Sequence, residues 1–148
     1  MSSLEEMQAQ LNYEIAIYRE QISMIKRETE RISLTTVDLN NALRTVENLG
    51  KGKALVPIGG GAMVRGSITE TTVLVPIGAQ YLTEMGREEA VSEIEKRIDA
   101  TKKAVEKLTQ EFEKIAKKLR AVSGRLQQIQ NQSRISEQVE ENIREDYI

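Results

Sequence analysis

The residue types that most often carry chemistry are missing from this sequence or scattered through it. The chain of 148 residues has no His and no Cys. That removes imidazole acid–base work, thiol nucleophiles, thiolate metal sites and disulfides. No pair of carboxylates sits in a pattern that could form a general acid and base, so no catalytic or metal-ligating residue is assigned. Two glycine stretches have the composition of a phosphate cradle but not its setting. Gly59-Gly60-Gly61 is followed by no Lys-Ser or Lys-Thr and opens no helix. Gly50-Lys51-Gly52-Lys53 follows a helical pattern instead of a strand, and Ala54 stands where a P-loop needs a hydroxyl. These glycines read as turn and helix-stop residues, and no cofactor is expected. What remains is the chemistry of apolar surface, so the question becomes which elements position it.

The middle of the chain repeats itself. Leu55-Val56-Pro57-Ile58-Gly59 returns as Leu74-Val75-Pro76-Ile77-Gly78, the mark of a duplicated supersecondary unit. Strands are expected over Ala54–Ile58, Ala62–Ile68, Thr72–Ile77 and Gln80–Met85. Gly59-Gly60-Gly61 and Gly78-Ala79 supply the turns, and Pro57 and Pro76 end the ladders because proline has no N–H to donate. Two such hairpins cannot make a stable core alone, and their edges are open to other chains. Leu55, Val56, Ile58, Met63, Val64, Ile68, Val73, Leu74, Val75 and Ile77 are therefore expected to assemble subunits through a shared barrel.

Heptads flank the hairpins. The first seam runs Leu4, Met7, Leu11, Ile15, Tyr18, Ile22, Ile25, Thr29, Ile32, Thr36, Leu39, Leu43, Val46, Leu49, with a four-plus-four step from Met7 to Ile15 that reads as a register shift. Gly50 and Gly52 are expected to cap this helix. The second seam starts after Gly86 and runs from Val91 to Ile129 in alternating steps of three and four. Ser133 and Ser136 continue its register, while the apolar stripe reappears at Ile135, Val139 and Ile143. Gly124 falls on the exposed side. Laid antiparallel, with partner numbers adding to about 137, the seams match apolar residue to apolar residue in the manner of a coiled coil. Thr36 then faces Thr101, one polar layer. The expected fold class is α+β dominated by helix: a long antiparallel coiled-coil hairpin with two β-hairpins at its base. As one domain it divides into a helix over 1–50, hairpins over 51–86 and a helix with a distal tail over 87–148.

The far end of the helical pair gathers Met1, Leu4, Met7, Leu11, Ile129, Ile135, Val139 and Ile143 among acidic side chains. Two readings of that end stand side by side, an adaptable apolar binding surface and a frayed terminus. The rest of the composition is consistent with helices. One Phe, no Trp and 30% charged residues suit long helices better than a compact globule. A net charge of −2 gives no bulk attraction to nucleic acid or anionic membrane. Neither a leader pattern nor a bilayer-spanning apolar run is present, so a cytoplasmic protein is expected.

Helix, doubled Leu-Val-Pro-Ile-Gly hairpin and returning helix opened by Glu88-Glu89-Ala90 together resemble the α-type subunits of archaeal prefoldin over nearly the whole chain. The resemblance implies an ATP-independent chaperone subunit and no enzyme. It implies a hexamer of two α and four β-type subunits joined through their hairpins, helix tips that hold non-native protein, and transfer to a group II chaperonin. The alternative from the residues alone is a filament or spacer protein propagating through its open hairpin edges.

Overall fold

Each heptad run folds as one uninterrupted helix because neither contains proline and the one interior glycine, Gly124, lies on an exposed face. The structure, a computed structural model, describes residues 3–147. Helix α1 spans Ser3–Glu47 and α2 spans Arg87–Asp146. Between them lie β1 (Gly52–Gly59), β2 (Ala62–Ile68), β3 (Val73–Gly78) and β4 (Tyr81–Met85). The helix-dominated α+β class with two antiparallel β-hairpins is thus the fold adopted. The chain divides into two compact units, one of Arg31–Ala104 and one made of the residues before and after it.

In the unit of Arg31–Ala104, Val46 of α1 packs with Ala90, Ile94 and Ile98 of α2 and with Val75 of β3. Leu39, Leu43, Val73, Met85 and Val91 border this cluster. In the other unit, Leu11 and Ile15 of α1 pack with Val122 of α2, flanked by Tyr18, Leu119, Leu126 and Ile129. Both clusters pair low numbers with high ones, as an antiparallel seam requires. The polar layer forms as well, with the Thr36 hydroxyl 2.9 Å from that of Thr101.

The helix ends depart from the glycine reading. α1 stops at Glu47, and the Arg44 carbonyl is closed by Asn48, through its backbone N–H at 3.2 Å and its side-chain amide at 2.8 Å. Gly50 has no left-handed φ, and Gly52, at φ +141°, opens β1 instead of capping a helix. The Val46 carbonyl then accepts from the Leu49 N–H at 3.2 Å, a tightened last turn that closes the helix without a left-handed glycine. At the start of α2, the Gly86 carbonyl accepts the first helical bond from the Ala90 N–H at 2.9 Å.

The hairpins are structural copies of one another. Val56↔Val64, Pro57↔Met63 and Gly59↔Ala62 in the first become Val75↔Thr83, Pro76↔Leu82 and Gly78↔Tyr81 in the second. Pro57 and Pro76 do not end their strands. Each pairs across the ladder, the register slips just after it, and the strand continues to Gly59 or Gly78. A bulge is one of the places in a sheet that tolerates a missing N–H. Gly59 (φ +112°) and Gly78 (φ +109°) bend the chain alike. The turns themselves are Gly60-Gly61 and, displaced from the expected Gly78-Ala79, Ala79-Gln80. All four of these turn residues have positive φ, the geometry of a tight two-residue hairpin turn.

Candidate functional site

Among the described residues, exposed apolar side chains fall in both places where the sequence set candidate sites, besides Tyr13, Met24, Leu34 and Val37 along α1. The first candidate surface belongs to the hairpins. β3 alternates, so Val73 and Val75 turn toward the helices while Leu74 turns outward; Val75 is 4% exposed and Leu74 62%. Arg97 of α2 fastens this hairpin by donating to the Pro76 carbonyl at 2.6 Å, and its Nε lies 3.2 Å from Glu93. Val75 is therefore a residue of the chain's own core, which corrects the expectation that it builds the subunit barrel, while Val73 borders that core half-buried. Two-residue periodicity separates the faces of a strand, but Leu74 and Val75 are both apolar, so the pattern could not say which face the helices would cover.

The first hairpin has no such covered face. Leu55, Val56, Ile58, Met63 and Val64 are all exposed, as is Ile77 on the second, whereas Ile68 is half-buried. The hairpins do not pair with each other. Each is a separate two-stranded sheet, so the outer backbone edges of both are open, the arrangement through which strands join other chains.

The second surface lies at the start of α1 and the end of α2. Of the residues expected there, Met1 lies outside the described residues. Leu11 is 8% exposed and packs with Ile15 and Val122, and Ile129 borders that cluster, so both are engaged in the seam. Leu4 is half-buried. Met7, Ile135, Val139 and Ile143 are exposed. The expected register shift at Met7 does not occur: Leu4, Gln8, Leu11 and Ile15 are the inward positions, an ordinary alternation of four and three. Gln8 occupies the seam and displaces Met7 to the surface. On α2, Ser133 likewise continues the inward register while Ile135 stands outside it. A polar residue in the seam beside an apolar one on the surface is the signal that sequence reading misses when it follows only the apolar residues.

The clefts along the helices are open, one of them lined by Arg19, Gln127, Asn131 and Arg134. Among the described residues no group of His, Cys, Asp or Glu is arranged to hold a metal ion. No described helix is long and apolar enough to cross a membrane.

Two long helices joined by a doubled hairpin can now be set beside known proteins. A family model described as "Prefoldin subunit" matches residues 18–132. The chain belongs to the prefoldin subunit family. It is a prefoldin-type chaperone subunit. It is 28% identical over 126 residues to the prefoldin subunit alpha of Pyrococcus horikoshii, a match covering 81% of this chain and 85% of that one. It is 34% identical over 121 residues to the prefoldin subunit alpha of Methanoculleus marisnigri, covering 81% and 69%. Among solved structures it is similar to a chain of filamentous PFD from Methanocaldococcus jannaschii, determined by cryo-EM. The TM-score is 0.66 at 27% identity, over 76% of this prefoldin chain and 98% of that one. The matched family residues include both hairpins and most of both helices.

Proposed function

We infer that the chain is an ATP-independent holdase subunit that joins β-type prefoldin subunits through its hairpins, binds non-native proteins and passes them to a group II chaperonin. The observation that carries this reading is the doubled hairpin with exposed apolar faces and open edges, on a chain that separately exposes Met7, Ile135, Val139 and Ile143. One surface suits permanent assembly. The other, made of a few apolar side chains on charged helices, suits weak and reversible contact. Each aliphatic contact contributes about 1.5–3 kcal/mol at full burial, and several copies in one assembly raise avidity without tightening any single contact. Such a subunit works in the cytoplasm and needs no cofactor, no nucleic acid and no membrane. Its organisation is one domain, with hairpins over 51–86 that assemble and helices over 1–50 and 87–148 that hold clients.

The test has two arms. Mixed with a single-hairpin prefoldin subunit, the chain forms one species with the mass of a hexamer of two α and four β subunits. Removal of residues 134–148 leaves that mass unchanged and weakens suppression of aggregation of a denatured client. Unchanged suppression sinks the assignment of the client surface.

A second reading has its own support. The similar solved chain comes from a filamentous PFD, and open hairpin edges propagate if the rotation between neighbours does not close a ring. Growing homo-assemblies of this chain alone, seen by light scattering, favour the filament over the mixed hexamer.

A further inference from the structure

The end of α2 carries an apolar stripe on an acidic stretch of helix. Ile135, Val139, Ile143 and Tyr147 follow one another at helical spacing and are 61%, 49%, 52% and 88% exposed. Every residue from Arg134 to Tyr147 is exposed, and none of them belongs to either buried cluster of the described residues. On the same stretch lie Glu137, Glu140, Glu141, Glu145 and Asp146 against Arg134 and Arg144, with Glu140 and Asp146 at the positions beside the apolar residues and Glu141 on the opposite side. Five carboxylates thus oppose two guanidiniums on one short stretch of helix, in a chain whose net charge is only −2. The acidity is concentrated here.

That charge decides among occupants. A second copy laid on this stripe would bring one net-negative stretch against another, and like charge destabilises the pairing. An anionic lipid surface is repelled by the same carboxylates, since membrane-binding helices of this kind surround their apolar face with Lys and Arg. A helix with apolar residues at steps of three and four and cations on its flanks satisfies both parts of the surface at once.

We propose that the stripe of Ile135, Val139, Ile143 and Tyr147 selects basic amphipathic segments, so that this subunit prefers clients whose exposed apolar stretches are flanked by Lys and Arg. This deepens the chaperone reading above and rests on it for the word client; the binding preference itself can be measured without it. The apolar contacts hold the segment and the carboxylates discriminate between segments. Because the charges are exposed, the discrimination fades as salt shortens the screening length below about 10 Å.

The test uses the full chain and two fluorescent peptides of about 18 residues, a length able to cover the stripe. One peptide carries leucines at steps of three and four among lysines, and the other the same leucines among glutamates. Fluorescence anisotropy at low salt is expected to give roughly tenfold tighter binding of the lysine peptide, the scale of a few exposed ion pairs acting together. The triple change Ile135→Ser, Val139→Ser and Ile143→Ser weakens the lysine peptide. The triple change Glu137→Lys, Glu140→Lys and Glu141→Lys moves the preference to the glutamate peptide. All six positions are exposed, and circular dichroism confirms retained helix. Equal affinity for the two peptides overturns the proposal, as does a lysine preference that survives both triple changes. Suppression of client aggregation by the unaltered chain, measured in parallel, separates the two readings. Suppression with no charge preference removes this inference alone. A charge preference without suppression removes the chaperone reading alone.

Discussion

Thr36 of α1 donates its hydroxyl hydrogen to the Thr101 hydroxyl of α2 at 2.9 Å, and Thr101 in turn donates to the Ile98 carbonyl at 2.7 Å. The Thr36 hydroxyl also lies 2.9 Å from the Ile32 carbonyl, so its hydrogen has two acceptors within reach. This is a short relay across an otherwise apolar seam. A polar pair of this kind specifies register, because sliding either helix by one turn sets each hydroxyl against an aliphatic neighbour.

Thr36→Val or Thr101→Val alone is expected to cost about 0.5–1.5 kcal/mol, since each removes the interhelical bond and leaves one hydroxyl with its local carbonyl. The double change to Val is expected to cost less than the sum, because no hydroxyl is left in the layer. Thermal unfolding followed by circular dichroism checks the cycle. Strict additivity would mean that the bond contributes nothing.

Ala79 and Gln80 hold φ of 49° and 65° in a turn whose twin in the first hairpin is Gly60-Gly61. Side chains beyond glycine are strained there. Ala79→Gly is expected to raise stability by about 1 kcal/mol, and Gly60→Ala to lower it by a similar amount. A melting temperature that falls for Ala79→Gly contradicts the assigned turn.

Val75 and Leu74 are neighbours with opposite fates, one in the core and one on the surface. Val75→Asp places an unpaired carboxylate among Val46, Ala90 and Ile94 and is expected to cost about 3 kcal/mol or more. The isolated chain should then melt early. Leu74→Asp is expected to leave the melting curve of the chain unchanged and to reduce its assembled mass. If Leu74→Asp destabilises the isolated chain as Val75→Asp does, the outward face is wrongly placed.

Gly124 sits inside α2 with open space where a Cβ would go. Gly124→Ala is expected to stabilise the helix by about 1 kcal/mol, read as a higher midpoint in urea. No gain would mean that the helix does not continue through that position.

Periodicity alone was enough for the two helices, their antiparallel pairing and the Thr36–Thr101 layer. A seam is a property of spacing, and spacing is written in the chain. The duplicated Leu-Val-Pro-Ile-Gly phrase likewise announced two hairpins of one design. Where the apolar residues would go was not written there. Met7 and Gln8 compete for one seam position, and Leu74 and Val75 for the covered face of one strand. In each case hydrophobicity leaves the choice open or misleads. Only the packing of β3 on Val46 and Ile94, and of Leu11 on Val122, decides which side chains are buried and which are left for a partner. Spacing is local and can be counted along the chain, whereas burial depends on which distant surface arrives opposite, and that is settled only when the chain has folded.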